Sequence, residues 1–490
     1  MKKTCKIVYV VVCLLIMLLP FVGMIFFQTD ETTENKTLAE MPRLQTEEGL
    51  NKEYLSQLGA YFEDHFAFRT YMVDADSKIQ AGIFKVSNVD SVIVGTDGWL
   101  YYASTLDNYL SKNGLRERGI FNAVHNIKLM QQYVEQQGAE FVLTIAPNKN
   151  SLYGENMPYY YQYNAGETEN ILDVTKELEK QQINYVDLFE AFKARGDILY
   201  LKRDSHWNNE GAVLAYNTIM DAFDLPHERY ETVDAVRTKE YIGDLNRMLY
   251  PISSKPEWNI TYQYENSFSY IGDDDVEAGW LKTENTEQEG SLLMFRDSFG
   301  NTLIPLMSNA FGKCYYAKTV PYNISSYMDE YQPDRVVVEK VERNIEEFAS
   351  MPAVFQGPEA DGINPNELAD ADGTEEAVAG DKTACTAADK SSEITVKVAD
   401  ANLSFLAISG RIEELPESDS LVYIKVQDGK ESFLYEAFTI SDENGDGGWL
   451  LYLDRGKITA DKLDITVYVT DKNNILPICS AEFNMKTVGE

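Results

Sequence analysis

The chain has 490 residues, 44% of them hydrophobic, which is enough for one sizeable core and a second, smaller domain. Its 79 acidic residues outnumber 43 basic ones for a formal charge of −36, so it repels phosphate backbones and offers nucleic acid no basic stripe. The same charge disfavours wide contact with anionic lipid head groups and suits a domain in solvent or beside a cationic or neutral polymer.

At the N-terminus Lys2, Lys3 and Lys6 precede an uncharged apolar run from Ile7 to Phe27. Such a run, at ~1.5 Å per residue, is long enough to span a bilayer core of about 30 Å. No small-x-small cleavage pattern closes it, so residues 1–29 are expected to form a retained, single-pass transmembrane anchor rather than a cleaved signal. The lysines then stay in the cytoplasm, and everything after Asp30 lies outside the cell membrane.

Residues 30–50 are polar and read as a tether. Tyr54, Leu55, Leu58, Tyr61, Phe62 and Phe66 recur at helical spacing, a helix whose apolar face is expected in the core. Ser91–Val94 and Trp99–Tyr102 flank Gly95-Thr96-Asp97-Gly98, a hairpin signal. Helix and strand patterns then alternate: helix Arg116–Gln137, strand Glu140–Ala146, helix Asn170–Gln181, strand Ile183–Leu188, helix Asn209–Phe223, strand Ser291–Phe295 and a helix from about Asn301 to Ala310. Lys313–Thr319 and Arg335–Lys340 finish the sheet. This order predicts an α/β/α sandwich with a mostly parallel sheet over residues 51–351, whose ligands sit at the carboxyl ends of the strands. Residues 227–290 break the pattern and read as an insertion, or lid, over the active face.

Residues 352–392, rich in Ala, Gly, Asp, Glu and Thr, read as an acidic solvated linker. Short strand-like runs punctuated by turns then predict a small β-sandwich over residues 393–490. Asp442, Asn444 and Asp446 imitate the start of a calcium loop, but Leu453 stands where its last acidic ligand belongs, so a plain turn is expected. Of five cysteines, Cys5 and Cys13 lie in the apolar N-terminus, and Cys314, Cys385 and Cys479 show no CxxC spacing. Neither a zinc site nor a disulfide framework is read, and Cys314 is expected to be a buried structural thiol.

Four histidines limit the choice of a general base. His125 lies inside a helix, His227 in a loop, and His65 in an aromatic helix. His206 is different, because Ile198–Leu201 reads as a short strand delivering Asp204-Ser205-His206 to its end just before a helix. There Asp204 can fix the imidazole tautomer and leave the other nitrogen facing a nucleophile. The nucleophile candidate is Ser298, where the strand Leu292–Phe295 runs through Arg296-Asp297 into a helix start whose N–H groups can hold an oxyanion. On its own, such a serine is in most proteins a helix cap, and it is the Asp-x-His at another strand end that turns the reading towards function.

With these residues in view, the chain resembles the bacterial DHHW proteins and the alginate O-acetyltransferase relatives of the SGNH hydrolase superfamily. The resemblance rests on Glu34-Asn35-Lys36, Asp64-His65-Phe66 with Arg69, Asp97-Gly98-Trp99-Leu100, Pro147-Asn148-Lys149, Asp204-Ser205-His206-Trp207 with Gly211-Ala212, Asp297-Ser298-Phe299 and Glu342-Arg343-Asn344. It implies an SGNH-like fold, a triad of Ser298 nucleophile, His206 base and Asp204 orienter, and acetyl transfer to, or removal from, a surface polysaccharide. It also implies a membrane-bound O-acyltransferase partner that supplies acetyl groups across the membrane. Arg296 replaces the superfamily's usual glycine, and Ser205 the second residue of the DHHW motif. Asn148, Lys149 and Arg296 are the candidates for oxyanion or substrate contact, and no cofactor or metal is called for. The alternatives are a carbohydrate O-acetyl esterase and a non-catalytic glycan-binding or scaffold protein.

Overall fold

The computed structural model describes residues 3–24, 26–27, 38–46, 49–112, 114–166, 170–369, 371, 374–378, 383–387 and 390–485. The motif Glu34-Asn35-Lys36 and the tether residues 30–37 and 47–48 lie outside them.

A helix, α1 (Lys3–Gly23), carries the N-terminal apolar run, and side chains such as Ile7, Leu15 and Leu19 are exposed along it. Among the described residues no helix is long and apolar enough to cross a membrane. Next come α2 (Tyr54–His65) and α3 (Arg69–Ile79). The apolar side of α2 is not core as expected: Leu55 is 79% exposed, and the buried residue is Asp64, whose carboxylate accepts the Ala39 N–H at 2.9 Å. Helical spacing specifies a stripe but not what covers it.

The hairpin β1 (Val92–Val94) and β2 (Leu100–Tyr102) forms as read. Beyond it lie α4 (Glu117–Gln136), β3 (Glu140–Ala146), α5 (Asn170–Lys180), β4 (Tyr185–Val186), α6 (Leu188–Arg195) and α7 (Asn209–Ala222). Within the expected insertion are β5 (Ala235–Tyr241), α8 (Asp244–Leu249), β6 (Glu257–Tyr262), β7 (Ser269–Tyr270) and β8 (Trp280–Glu284). Then follow β9 (Ser291–Phe295), α9 (Ile304–Ala310), β10 (Lys313–Ala317), α10 (Ile324–Tyr331) and β11 (Arg335–Val341).

The seven-stranded sheet has the order β4-β3-β11-β9-β10-β8-β7. Its first five strands are parallel, and β3, β9 and β11 are nearly continuous apolar runs because helices cover both faces. The edge departs from expectation, since β8 and β7 come from the segment read as an insertion and extend the sheet antiparallel beyond β10. Only the β5–β6 hairpin and α8 stand apart from it. A second departure concerns Ile198–Leu201, which is no strand of the sheet. Leu199, Tyr200 and Leu201 are buried loop anchors, with a single bridge from Tyr200 to Trp207.

The C-terminal region is a sandwich of two five-stranded sheets. Two strands, Thr374–Val378 and Thr383–Ala387, lie inside the stretch read as linker. The first residues of that stretch are also not solvated: Ala353, Val354 and Phe355 are buried, and Phe355 stacks on Tyr133 of α4 at 4.5 Å and meets Phe438 of the sandwich at 5.0 Å. One apolar cluster therefore runs from the α/β sheet through these residues to Phe405, Phe438 and Tyr452. Cys314 is buried, and burial pushes its thiol up to about 11. Cys479 is disulfide-bonded, which corrects the reading of a chain without disulfides.

Candidate active site

The carboxyl ends of β3, β9 and β11 converge with the loop 199–207. Ser298 follows β9 at the start of a short 3-10 turn, Phe299–Thr302. Its hydroxyl lies 2.8 Å from His206 Nε2, and His206 Nδ1 lies 2.7 Å from Asp204 Oδ1. The structure thus brings together the three residues that the sequence singled out.

The loop that does this is closed on itself rather than carried by a strand. Asp204 Oδ1 also accepts the His206 backbone N–H at 2.9 Å. The buried Lys149 ammonium fills the role of a missing β-ladder, donating to the carbonyls of Leu201 and Lys202 at 3.2 Å each and of Asp204 at 2.5 Å. Beneath it lie the rings of Tyr101 and Trp99, at 5.2 and 5.7 Å. Burial lowers the Lys149 pKa to about 8 against the pull of Asp204 and Asp244. Lys149 is therefore a strut of the Asp204 loop, which corrects its reading as an oxyanion or sugar contact. Trp207 pins the other end of the loop, donating from Nε1 to Thr302 Oγ1 at 2.7 Å and meeting Phe299 edge-on at 5.0 Å.

Arg296 is likewise structural. Fully buried, its guanidinium donates to the carbonyls of Asp297, Val276 and Ala278 and to the Asn301 side chain. It ties the turn that carries Ser298 to the segment before β8, so the expectation of oxyanion contact does not hold for it. Asp297 braces the same turn, since Oδ1 accepts from Phe299 N–H at 2.9 Å and Oδ2 from Val341 N–H at 2.7 Å. The Phe299 N–H is therefore not one of the free donors expected at this helix start.

Asn148 is buried at the end of β3, and neither Nδ2 nor Oδ1 of its side chain has a hydrogen-bond partner. A buried, unsatisfied amide is costly unless something else completes it. Its backbone N–H donates to Glu342 Oε2 at 2.7 Å, which locks the end of β3 to the end of β11.

Two neighbours, Tyr241 and Asp244, were not singled out in the sequence, and Arg343 was quoted there only within a motif. Asp204 Oδ2 accepts from the Tyr241 hydroxyl at 3.0 Å and from the Asp244 N–H at 2.9 Å. Asp244 in turn accepts the Ser205 hydroxyl at 2.5 Å and stands 3.8 Å from His206 Nδ1. Gly243 permits this approach, because a Cβ there would lie 2.3 Å from the Arg203 carbonyl oxygen. Arg343, just past β11, lies over the Phe299 and Tyr102 rings at 5.7 and 5.4 Å.

Burial raises the Asp204 pKa, but the bond and charge of His206, then the Asp244 and His206 backbone N–H groups, lower it and win, holding it well below the usual carboxylate range. Burial opposes the imidazolium, but the bond and charge of Asp204, with Asp244 behind, outweigh it and raise the His206 pKa; Arg343 opposes them. The imidazole remains 23% exposed, so the relay opens to solvent or substrate. Asp204, His206 and Asp244 place ligand-type atoms within 4.8 Å of one another, as a metal would require. Both oxygens of Asp204 are nonetheless committed to N–H and O–H donors. His125, His65 and His227 bond to backbone carbonyls elsewhere.

Chemically, this is a hydroxyl able to pass its proton to an imidazole whose tautomer a buried carboxylate fixes. Residues 92–281 match the family model described as SGNH hydrolase-like domain, acetyltransferase AlgX. That span includes Asp204, His206, Tyr241 and Asp244 and ends before Ser298. No curated protein matches. Similar solved structures include PatB1 of Bacillus cereus, 17% identical over 52% of this chain and 98% of that one, with a TM-score of 0.43. A DHHW family protein from Eubacterium siraeum is 16% identical over 46% of this chain and 85% of that one, with a TM-score of 0.38. The O-acetyltransferase domain of Pseudomonas putida AlgJ is 16% identical over 52% and 92%, with a TM-score of 0.34.

Proposed function

We propose that the protein is an extracytoplasmic, serine-dependent O-acyltransferase that places acetyl groups on a cell-surface or secreted polysaccharide. The observation that carries the reading is the continuous relay of 2.8 and 2.7 Å from Ser298 through His206 to Asp204. The match of residues 92–281 to an acetyltransferase domain model supports it.

In this reading Ser298 Oγ attacks the acetyl carbonyl of a donor while His206 Nε2 takes its proton. The oxyanion is held by the Ser298 N–H, the Asn148 amide and the Arg343 guanidinium. His206 returns the proton to the leaving group, giving acetyl-Ser298. A sugar hydroxyl, deprotonated by the same nitrogen, then attacks the acyl carbon and leaves as the ester, with the proton returned to Ser298. Asp204 stays ionised and stabilises the imidazolium in both steps.

The membrane anchor belongs to the same proposal. The lysine-flanked apolar run of α1 would place the catalytic part outside, and the disulfide at Cys479 suits an oxidising compartment. A membrane-bound O-acyltransferase would then supply the acetyl group from the cytoplasmic side. Water in place of the sugar gives an esterase by the same steps. The test is to offer a chromogenic acetyl ester with and without oligosaccharide and to look for acetylated sugar by mass. Acetylated sugar formed by the parent and lost in Ser298→Ala supports transfer, and release of acetate alone makes the protein an esterase. A serine-directed probe that labels neither form leaves only the scaffold alternative.

A further inference from the structure

The helix that follows α2 is built inside out. Along α3 and the single π-helical turn Gln80–Phe84 that continues it, Asp74, Ser77 and Ala81 recur at helical spacing and are buried. The Asp74 carboxylate accepts the Ile252 and Ser253 N–H groups at 3.1 and 2.8 Å and pairs with Lys78 at 2.7 Å. The opposite stripe, Met72, Ala75, Ile79, Ile83 and Val86, is apolar and exposed, with Ile83 at 70% and Phe84 beside it at 63%. A surface helix of a domain in water turns its charges out and its apolar side chains in. This one does the reverse, as does α2, which buries Asp64 and exposes Leu55. Apolar side chains gathered on one exposed face mark a surface that another body covers.

The position of α1 says what that body is. Ile7, Leu15 and Leu19 are exposed along it, whereas Pro20 and Gly23 at its end are buried at the corner between α2 and α3. The Pro20 carbonyl accepts the Ala67 N–H at 3.2 Å, the Phe27 and Phe68 rings lie 5.2 Å apart, and a Cβ on Gly23 would stand 2.6 Å from that of Ala67. The end of the apolar run is thus clamped to this corner, and α3 extends only about 16 Å from it, so a lipid surface crossed by α1 lies within reach of both helices. The charge agrees. In a chain of net charge −36, burial of Asp64 and Asp74 leaves residues 54–86 with Glu63 and Asp76 against Arg69, Lys78 and Lys85. A face without net negative charge escapes the repulsion by lipid head groups that the chain as a whole invites. We propose that the outward faces of α2 and α3 lie in the head-group layer of the outer leaflet, a second membrane contact that seats the α/β domain on the lipid surface. The assignment rests on the reading of α1 as a membrane anchor.

The test is depth, read by fluorescence on the full-length protein, alone in phosphatidylcholine vesicles with or without bromine on the acyl chains. In a Cys5→Ser, Cys13→Ser background one thiol at a time receives the fluorophore: Met72→Cys or Ile83→Cys on the stripe, Leu15→Cys in α1, or Leu403→Cys on the exposed surface of the sandwich. The stripe labels lose at least about half as much emission to bromine as the α1 label, and the sandwich label loses less than about a tenth as much. Adding Ile79→Glu and Val86→Glu lowers the loss at Met72→Cys at least about twofold at an unchanged melting temperature, because charge on the stripe opposes its burial in lipid. Stripe labels quenched no more than Leu403→Cys, as they would be if a protein rather than lipid covers this face, overturn the proposal, and so does quenching undiminished by the glutamates. Quenching at Leu15→Cys alone removes the second contact and leaves the anchor standing, whereas its absence there sinks both. None of these outcomes bears on acetyl-Ser298 chemistry.

Discussion

At the residue scale the site is an exercise in holding one imidazole. In the proposed reaction His206 must be neutral to take the Ser298 proton, and its pKa lies above the ordinary value, so kcat/KM is expected to fall as pH drops through that raised pKa. The charges facing the ring are Asp204, Asp244 and Arg343, which makes the direction of each substitution readable. Asp244→Asn removes a raising charge and moves the acid limb of the kcat/KM profile to lower pH, while Arg343→Gln removes a lowering charge and moves it to higher pH. Limbs that stay in place in both variants would show that neither group acts on the base. Ser298→Ala is expected to lose at least about a thousandfold in kcat. The grouping of Ser298, His206 and Asp204 was legible because a serine proton relay needs those residue types and Asp-x-His is compact. Tyr241 and Asp244 were not, since they reach Asp204 from 37 and 40 residues away, from the end of β5 and the start of α8, in a segment without clean periodicity. Lys149 and Arg296 were misread for a related reason: a cation inside a motif suggests a ligand, but once buried it is committed to nearby carbonyls.

At the element scale, the turn that carries Ser298 is held against β11 by an acid pair. Glu339, fully buried in β11, accepts the Asp297 N–H at 3.1 Å through Oε2, while its Oε1 has no partner. Burial, then the charge of Asp297, raises its pKa well above the ordinary 4.5. A folded-state pKa above the unfolded one stabilises at low pH and loses that contribution as pH rises. Glu339→Gln, which keeps the acceptor and can donate to Asp297, is therefore expected to melt like the parent in acid and progressively higher than it above about pH 4.5. Melting curves that keep a constant separation from pH 4 to 8 would rule this out. The runs that became β3, β9 and β11 were read nearly to the residue because strands buried on both faces are continuously apolar. The apolar run at Ile198–Leu201 looked the same but buries Leu199, Tyr200 and Leu201 as a loop, whose carbonyls Lys149 holds from a distant segment.

At the scale of the whole molecule, the sandwich is fastened to α4 rather than tethered. Asn126 Nδ2 donates to the Phe348 and Thr439 carbonyls at 2.8 Å each, and its Oδ1 accepts the Thr439 N–H at 3.0 Å. Arg118 donates to the Ser420 carbonyl at 2.6 Å, and Asn122 to the Asp446 carbonyl at 3.0 Å. His125 bonds to the Ala437 carbonyl at 3.3 Å, with burial lowering its pKa to about 3. Asn126→Ala leaves several buried groups unpaired and is expected to cost about 3 kcal/mol, with one cooperative transition rather than two in calorimetry. Separate transitions for the two regions would contradict a shared core. The sandwich was legible from its turn spacing, whereas this interface was not. Arg118, Asn122, His125 and Asn126 lie at helical spacing on a polar stripe that reads as solvent-facing, and only the docked strands turn it inward.

The most direct test of the account is capture of the acyl-enzyme. Full-length protein mixed with an activated acetyl ester, quenched in acid and digested, is predicted to carry one acetyl group on the Ser298 peptide, absent from Ser298→Ala and from His206→Ala. Acetyl found on a different residue, or ester turnover undiminished in Ser298→Ala, would contradict it.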